Sequence, residues 1–216
     1  MGKTFEVIPS NKHVLVCGTT GTGKSYFCEH YIRASYKYVV KLDTKDEVSE
    51  RRMEGRPVWE GLEEGKDVTV CHKLEELDDC ETDKIIFCPD FYDQTIEMFE
   101  TFFNWVFARQ NTVLWIDELM SIGTAQAYPR ALGRIMQQGR SKNVGVFACT
   151  QRPSGIPSIV PANASYFVIY AMPLPQDRKK VMEVSGMPEL YEMPDGHNFW
   201  FYKVGDKKPS MCKLEI

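Results

Sequence analysis

Apolar residues along this chain fall in short unbroken runs, separated by stretches with helical period. Residues 13–17, 38–42, 84–88, 112–116 and 144–149 are such runs. Continuous apolar runs of this length predict strands buried on both faces, as in a parallel sheet covered by helices. Further strands are read at 68–71, 166–170 and 198–203, with a last one near Met211 after the turn at Gly205-Asp206. Helical spacing predicts helices over 24–35, 94–109, 129–140 and about 176–185. In the second of these, Ile96, Phe99, Phe102, Phe103 and Val106 mark the core-facing side. Residues 44–66 are charged and Gly-rich and read as a long loop with room for one helical piece. No repeat, low-complexity tract or linker divides the chain. The alternation predicts a single α/β domain over 1–216, core about 12–204, with a mostly parallel central sheet and helices on both faces.

Composition narrows the class. Of 216 residues, 43% are hydrophobic and 26% charged, which excludes a wholly disordered chain. No apolar run approaches the roughly 20 residues of a membrane span. Residues 1–6 and Pro9 break any secretion leader, and Glu6 stands where myristoylation wants Ser or Thr. The expectation is a soluble intracellular protein, in which the sequon at Asn163 has no consequence. Seven cysteines without a Cys-x-x-Cys pair read as reduced thiols. Cys71, His72, Cys80 and Cys88 are a conceivable zinc set, although their spacing fits no finger or ribbon.

The net charge of −4 excludes a simple basic coat for nucleic acid, but not a ring that gathers positive charge at its centre. The charge is uneven. Residues 60–83 are strongly acidic, whereas 128–142 carry Arg130, Arg134, Arg140 and Lys142 and no acid.

Three short stretches carry chemistry. Gly18-Thr19-Thr20-Gly21-Thr22-Gly23-Lys24-Ser25 is a complete G-x-x-x-x-G-K-S between a predicted strand and a predicted helix. Its glycines let successive N–H groups turn inward as an anion nest, and the helix adds its positive end. Lys24 would reach the β and γ phosphates, and the Ser25 hydroxyl would hold Mg²⁺. The second stretch is the strand ending in Asp117-Glu118. Carboxylates there emerge at the carboxyl edge of the sheet, where ligands bind. Asp117 would serve the metal and Glu118 would polarise a water for attack on the γ phosphate. The alternative is an acidic pair that caps the next helix. A strand and helix, 84–109, separate this pair from the P-loop helix and imply an extra central strand. That arrangement places the chain in the additional-strand, catalytic-glutamate (RecA-like) branch of P-loop NTPases. The third stretch, Thr150-Gln151-Arg152-Pro153, follows another buried strand and puts Gln151 where it would sense the γ phosphate or orient the water.

The segment from Gln138 to Pro153, with Gly139-Arg140 leading into the strand and Thr-Gln-Arg-Pro closing it, resembles the FtsK–HerA family of DNA-translocating ATPases. The resemblance spans about 12–204 in order and motifs. In length it is most like the compact genome-packaging ATPases of viruses with an internal membrane. It implies ATP and Mg²⁺ as cofactors and a homo-oligomeric ring, expected to be a hexamer, acting on double-stranded DNA. It also implies that an arginine upstream of the strand, here Arg140, enters the neighbour's nucleotide site as a finger. The family's arginine before the late strand is replaced by Ala164-Ser165-Tyr166, which leaves Arg134 and Arg152 as the other finger candidates. Arg130 and Arg134, four apart on one helical face, are candidate DNA contacts or else a solvated face. The loop 121–128 is the other candidate pore element.

The expected function is thus an ATP-driven motor that packages a viral genome into a capsid, in host cytoplasm or virion. A capsid vertex or a membrane protein would be its docking partner. A nucleotide or small-molecule kinase shares the P-loop and size but leaves Glu118 and Gln151 without a role. A GTPase lacks its base motif at Asn11-Lys12-His13-Val14. A nucleotide-binding assembly scaffold without turnover is the reading from a different class.

Overall fold

The computed structural model describes residues 7–214. The leader and acylation readings made on residues 1–6 lie outside the described residues. The elements run β1 (His13–Cys17), α1 (Lys24–Ser35), β2 (Val39–Leu42), α2 (Glu47–Met53), β3 (Val68–Cys71), β4 (Lys84–Phe87), α3 (Ile96–Arg109), β5 (Val113–Ile116), α4 (Arg130–Gln138), β6 (Gly145–Thr150), α5 (Ile159–Asn163), β7 (Tyr166–Ile169), α6 (Pro175–Ser185), β8 (Asn198–Lys203) and β9 (Ser210–Lys213). They form one nine-stranded sheet in the order β3-β4-β2-β5-β6-β1-β7-β8-β9. The seven strands from β3 to β7 run parallel, and β8 and β9 are added antiparallel.

The apolar runs become strands with no exposed face. Every residue of β1, β2, β5, β6 and β7 is buried. Alternate side chains feed two cores. Val14 and Val16 of β1 pack with Cys28 and Ile32 of α1 and Val48 of α2. Leu15 and Cys17 face the opposite core, built from α3, α4, α5 and α6. Helices on both faces, as the sequence implies, are therefore what excludes water from the sheet.

The extra central strand is not the one at 84–87. β4 lies outside β2, whereas β6 sits between β1 and β5 and pairs with both. All six residues of β6 are buried, as a central position requires, while β4 starts at the half-buried Lys84. The consequence is functional. The P-loop strand and the Asp117 strand are separated by one strand, and Gln151 follows directly after its carboxyl end.

Two helix boundaries differ from the periodicity, each for a local reason. α3 starts at Ile96 because the Thr95 side chain accepts the Met98 N–H at 3.2 Å as its cap. Ile96 thereby falls in the first turn and is 45% exposed, so it is not a core residue as its spacing predicted. α4 ends at Gln138 and tightens into a 3₁₀ turn, Gly139–Lys142, closed by Asn143 at φ 55°. Arg140 lies on this turn, off the helix proper. Among the described residues no helix is long and apolar enough to cross a membrane.

One buried base couples the fold to pH. His13 is 5% exposed and its Nδ1 has no hydrogen-bond partner among the described residues. Burial lowers its pKa from the ordinary 6.5 to about 4, against a smaller opposing contribution from a backbone hydrogen bond at Met136. Between these values the unfolded chain binds the proton and the folded chain does not. Stability is therefore full above pH 6.5 and falls as the pH drops to 4, by up to about 3 kcal/mol. Denaturant unfolding across that window is expected to show a steeper fall in the unaltered chain than in His13→Leu. The same profile in both would contradict it.

Candidate nucleotide site

The carboxyl ends of β1, β5 and β6 meet at one edge of the sheet. After Cys17 the chain wraps from Gly18 to Gly23 and enters α1. Gly18 has φ 155°, and a Cβ there would come within 2.5 Å of Tyr170 Cβ. Gly23, the residue before α1, has φ 104°, and its Cβ would lie 2.7 Å from Leu214 Cδ2. Both positions therefore need glycine for backbone conformation and for space. Gly18 N donates to Thr150 O at 3.3 Å and Thr19 N to Ala171 O at 3.1 Å, which ties the loop to the β6 and β7 ends. The Thr22 hydroxyl and the Lys24 ammonium both donate to Thr19 O, at 2.8 and 2.9 Å. Burial holds the Lys24 pKa below that of an ordinary lysine. The 12-residue α1 directs its N-terminus at this cradle.

The acidic pair lies where the sheet edge predicts. Asp117 is 2% exposed, its N–H bonded to Leu42 O at 3.2 Å. Burial and the nearby Glu47 push its pKa up, partly offset by Lys41 and Lys45. Among the described residues its Oδ2 is faced by Lys45 Nζ alone, as an ion pair at 3.1 Å. Glu118 is also buried, and its Oε1 accepts the Met120 N–H at 3.3 Å. The buried Asp117 carboxylate is a hard donor, and together with Asp43 and Glu47 it fits a magnesium ion. The glycine cradle likewise fits a phosphate chain.

Gln151 comes to the P-loop through a direct contact, Thr20 Oγ1 donating to Gln151 Oε1 at 3.0 Å. Thr20, Lys24, Ser25 and Gln151 line a cavity of about 390 Å³. Two sequence-distant signals, the P-loop and Gln151, therefore line one cavity, and Lys45 in its wall pairs with Asp117 and Glu118.

The arginines separate by their partners. Arg152 Nε donates to the buried Asp177 at 3.0 Å, and the same carboxylate accepts from Ser154. The Arg134 guanidinium lies over the Phe107 ring at 3.9 Å. Arg140 is exposed, and among the described residues its guanidinium has no hydrogen-bond or ion-pair partner. Its turn precedes β6, at the amino edge of the sheet, opposite its own P-loop. Arg130 and Arg134 share the rim of a shallow hollow of about 460 Å³ with Tyr128. The loop 121–128 is folded by Thr124 N–H to Ala127 O at 2.8 Å and Ala125 N–H to Gly155 O at 3.1 Å.

The zinc set does not assemble. Cys71 and Cys80 sulfurs are 3.0 Å apart, but His72 Nδ1 is engaged by Cys88 O at 2.8 Å and Cys88 Sγ points to Asp46. Among the described residues the one cluster with metal-ligand spacing is Asp43, Glu47 and Asp117.

Three groups of this site escaped sequence reasoning. Lys41, fully buried, pairs with Glu47 at 2.9 Å and lies over the Trp115 ring at 4.6 Å. Asp43 pins the loop after β2. Lys45 faces both acids, and although burial works against its charge, Asp117 and Glu118 outweigh that and raise its pKa. A lysine inside an apolar strand was the available signal, since a buried charge requires a partner.

The profile of the ATPase family associated with various cellular activities (AAA) matches residues 14–170. No curated protein matches the sequence significantly. Among solved structures, the chain is similar to the genome packaging NTPase B204 from Sulfolobus turreted icosahedral virus 2 in complex with ATP-gammaS. The identity is 17% and the TM-score 0.76, over 97% of this chain and 100% of that one. VirB4 of Thermoanaerobacter pseudethanolicus aligns at 12% identity and TM-score 0.64, over 94% of this chain and 89% of its own. EssC (ATPases 2 and 3) from Geobacillus thermodenitrificans aligns at 12% identity and TM-score 0.60, over 93% of this chain and 39% of its own. At these identities the likeness is one of fold.

Proposed function

The chain belongs to the ATPase family associated with various cellular activities, and from that premise we propose that it is a motor that translocates double-stranded DNA as a homo-oligomeric ring, packaging a viral genome. The observation that carries this reading is the end-to-end likeness in fold to a packaging NTPase of the same length. It covers 97% of this chain and 100% of that one. The free Arg140, on the sheet edge away from its own phosphate cradle, supports sites completed between subunits.

In this reading Lys24 leaves Thr19 O for the β and γ phosphates of ATP. Ser25 and Asp117 would hold Mg²⁺, which when bound would screen phosphate charge. Glu118 accepts the proton of the attacking water, and Gln151, held by Thr20, orients that water beside the terminal phosphate. Arg140 of the adjacent subunit brings positive charge to the transition state, so turnover depends on assembly. Arg130 and Arg134 supply cations for phosphate contacts without base readout.

Movement along DNA is tested by triplex displacement from linear duplex with the full chain. ATP is expected to release the third strand, while ADP and the Glu118→Gln variant are not. Hydrolysis without any displacement would overturn the translocase reading.

A further inference from the structure

Lys45 stands between the two acids of the site, and no phosphate-binding motif accounts for it. Its Nζ lies 3.1 Å from Asp117 Oδ2 and 3.8 Å from Glu118 Oε2. It also forms part of the wall of the cavity lined by Lys24, Ser25 and Gln151. Its root is fixed. Asp43 Oδ1 accepts the Lys45 N–H at 3.1 Å and Oδ2 the Val48 N–H at 3.0 Å. Asp46, at φ 59°, then caps α2 by accepting from Ser49 N at 3.3 Å. Its head is not fixed, because the side chain is 37% exposed on a four-carbon stem with rotatable donors.

Electrostatics requires a second position for that head. An ammonium and a divalent cation repel strongly when both crowd one carboxylate in a poorly solvated site. The acidic cluster does not need Lys45 once a metal arrives, since Lys41 remains buried against Glu47 at 2.9 Å. The anion that enters together with the metal is the terminal phosphate of the nucleotide, and it enters the cavity that Lys45 already borders.

We propose that Lys45 exchanges partners during the ATPase cycle. In the empty site it is the counter-ion of Asp117 and Glu118. With metal and nucleoside triphosphate present, its ammonium bonds an oxygen of the terminal phosphate. The exchange is a side-chain rotation in which no covalent bond forms or breaks. It makes Lys45 a specificity residue that separates a triphosphate from a diphosphate, and it releases Glu118 to accept from water. The proposal goes beyond the motor reading and holds whether or not the chain moves DNA. It rests on Asp117 and Ser25 as the residues that hold the metal.

The test is equilibrium binding of β,γ-methylene-ATP and of ADP, each with Mg²⁺, to the full chain and to Lys45→Met, Lys45→Arg and Lys24→Ala. Binding of Mn²⁺ to the nucleotide-free proteins is read in parallel by electron paramagnetic resonance. Lys45→Met is expected to lose about tenfold in affinity for the analogue, with ADP affinity held within about twofold. The same variant, free of nucleotide, is expected to bind Mn²⁺ about tenfold more tightly, and Lys45→Arg to retain the preference for the analogue. A Lys45→Met protein with the wild-type ratio of analogue to ADP affinity would overturn the exchange, as would unchanged Mn²⁺ affinity. If Lys24→Ala loses binding while Lys45→Met behaves as wild type, the phosphate cradle stands and this inference fails. An unaltered chain that binds neither nucleotide sinks both.

Discussion

Glu118→Gln is expected to lower ATP turnover by about 10² to 10⁴ fold while nucleotide affinity stays within a few fold. The substitution removes one proton acceptor and one of the two carboxylates that face Lys45. Gln keeps the oxygen that accepts the Met120 N–H at 3.3 Å, so the turn after β5 is preserved. The side chain is buried, and its contribution is therefore not screened by bulk water. Steady-state phosphate release beside a fluorescent-nucleotide titration separates the two effects. Undiminished turnover would remove Glu118 from the proton-accepting role. Joint loss of binding and turnover would indicate a structural one.

Arg140→Ala carries an effect of comparable size, about 10³ fold or more in turnover of the assembled protein. Its origin is different. Arg140 has no partner within its own chain among the described residues and lies at the amino edge of the sheet, so its loss leaves the subunit's own cradle intact. Binding of nucleotide is expected to survive. The diagnostic experiment mixes the two inactive proteins. An Arg140→Ala subunit retains Glu118, and a Glu118→Gln neighbour supplies Arg140, so mixed assemblies are expected to recover a fraction of turnover. Failure of the mixture to recover any activity, with assembly demonstrated, would place the missing group in cis and refute the trans finger. The other two candidate fingers are already engaged, Arg152 by Asp177 and Arg134 by the Phe107 ring.

Much of this arrangement was legible from residue pattern, because the physics behind it is local. Continuous apolar runs predict strands covered on both faces, and the run at 13–17 appears with those bounds and every residue buried, while the strands at 68–71 and 198–203 also keep their predicted bounds. The P-loop was found from its glycine-lysine motif, Asp117-Glu118 and Gln151 from position at a strand end, and the fold brings all three to one edge. What the pattern could not give is strand order, which depends on pairings far apart in sequence. The inserted strand was therefore read at 84–88, when β6 holds that place. Helix starts failed where a cap decided them, as Thr95 does for α3. The charged network of Lys41, Asp43, Glu47 and Lys45 was missed because its members are separated from Asp117 by some seventy positions and meet only across β2 and β5. Lys41 was visible as an anomaly in its strand, but its partner was not.

The ring reading also explains why the basic stretch 128–142 coexists with a net charge of −4. Salt-dependent attraction to phosphates depends on where the cations are gathered, not on the sum.

The most direct test of the central claim is the specific rate of ATP hydrolysis measured across protein concentration, with and without linear double-stranded DNA. A DNA motor with sites shared between subunits predicts a rate per chain that climbs as the ring assembles and rises again when DNA is added. A rate per chain independent of both concentration and DNA would contradict it.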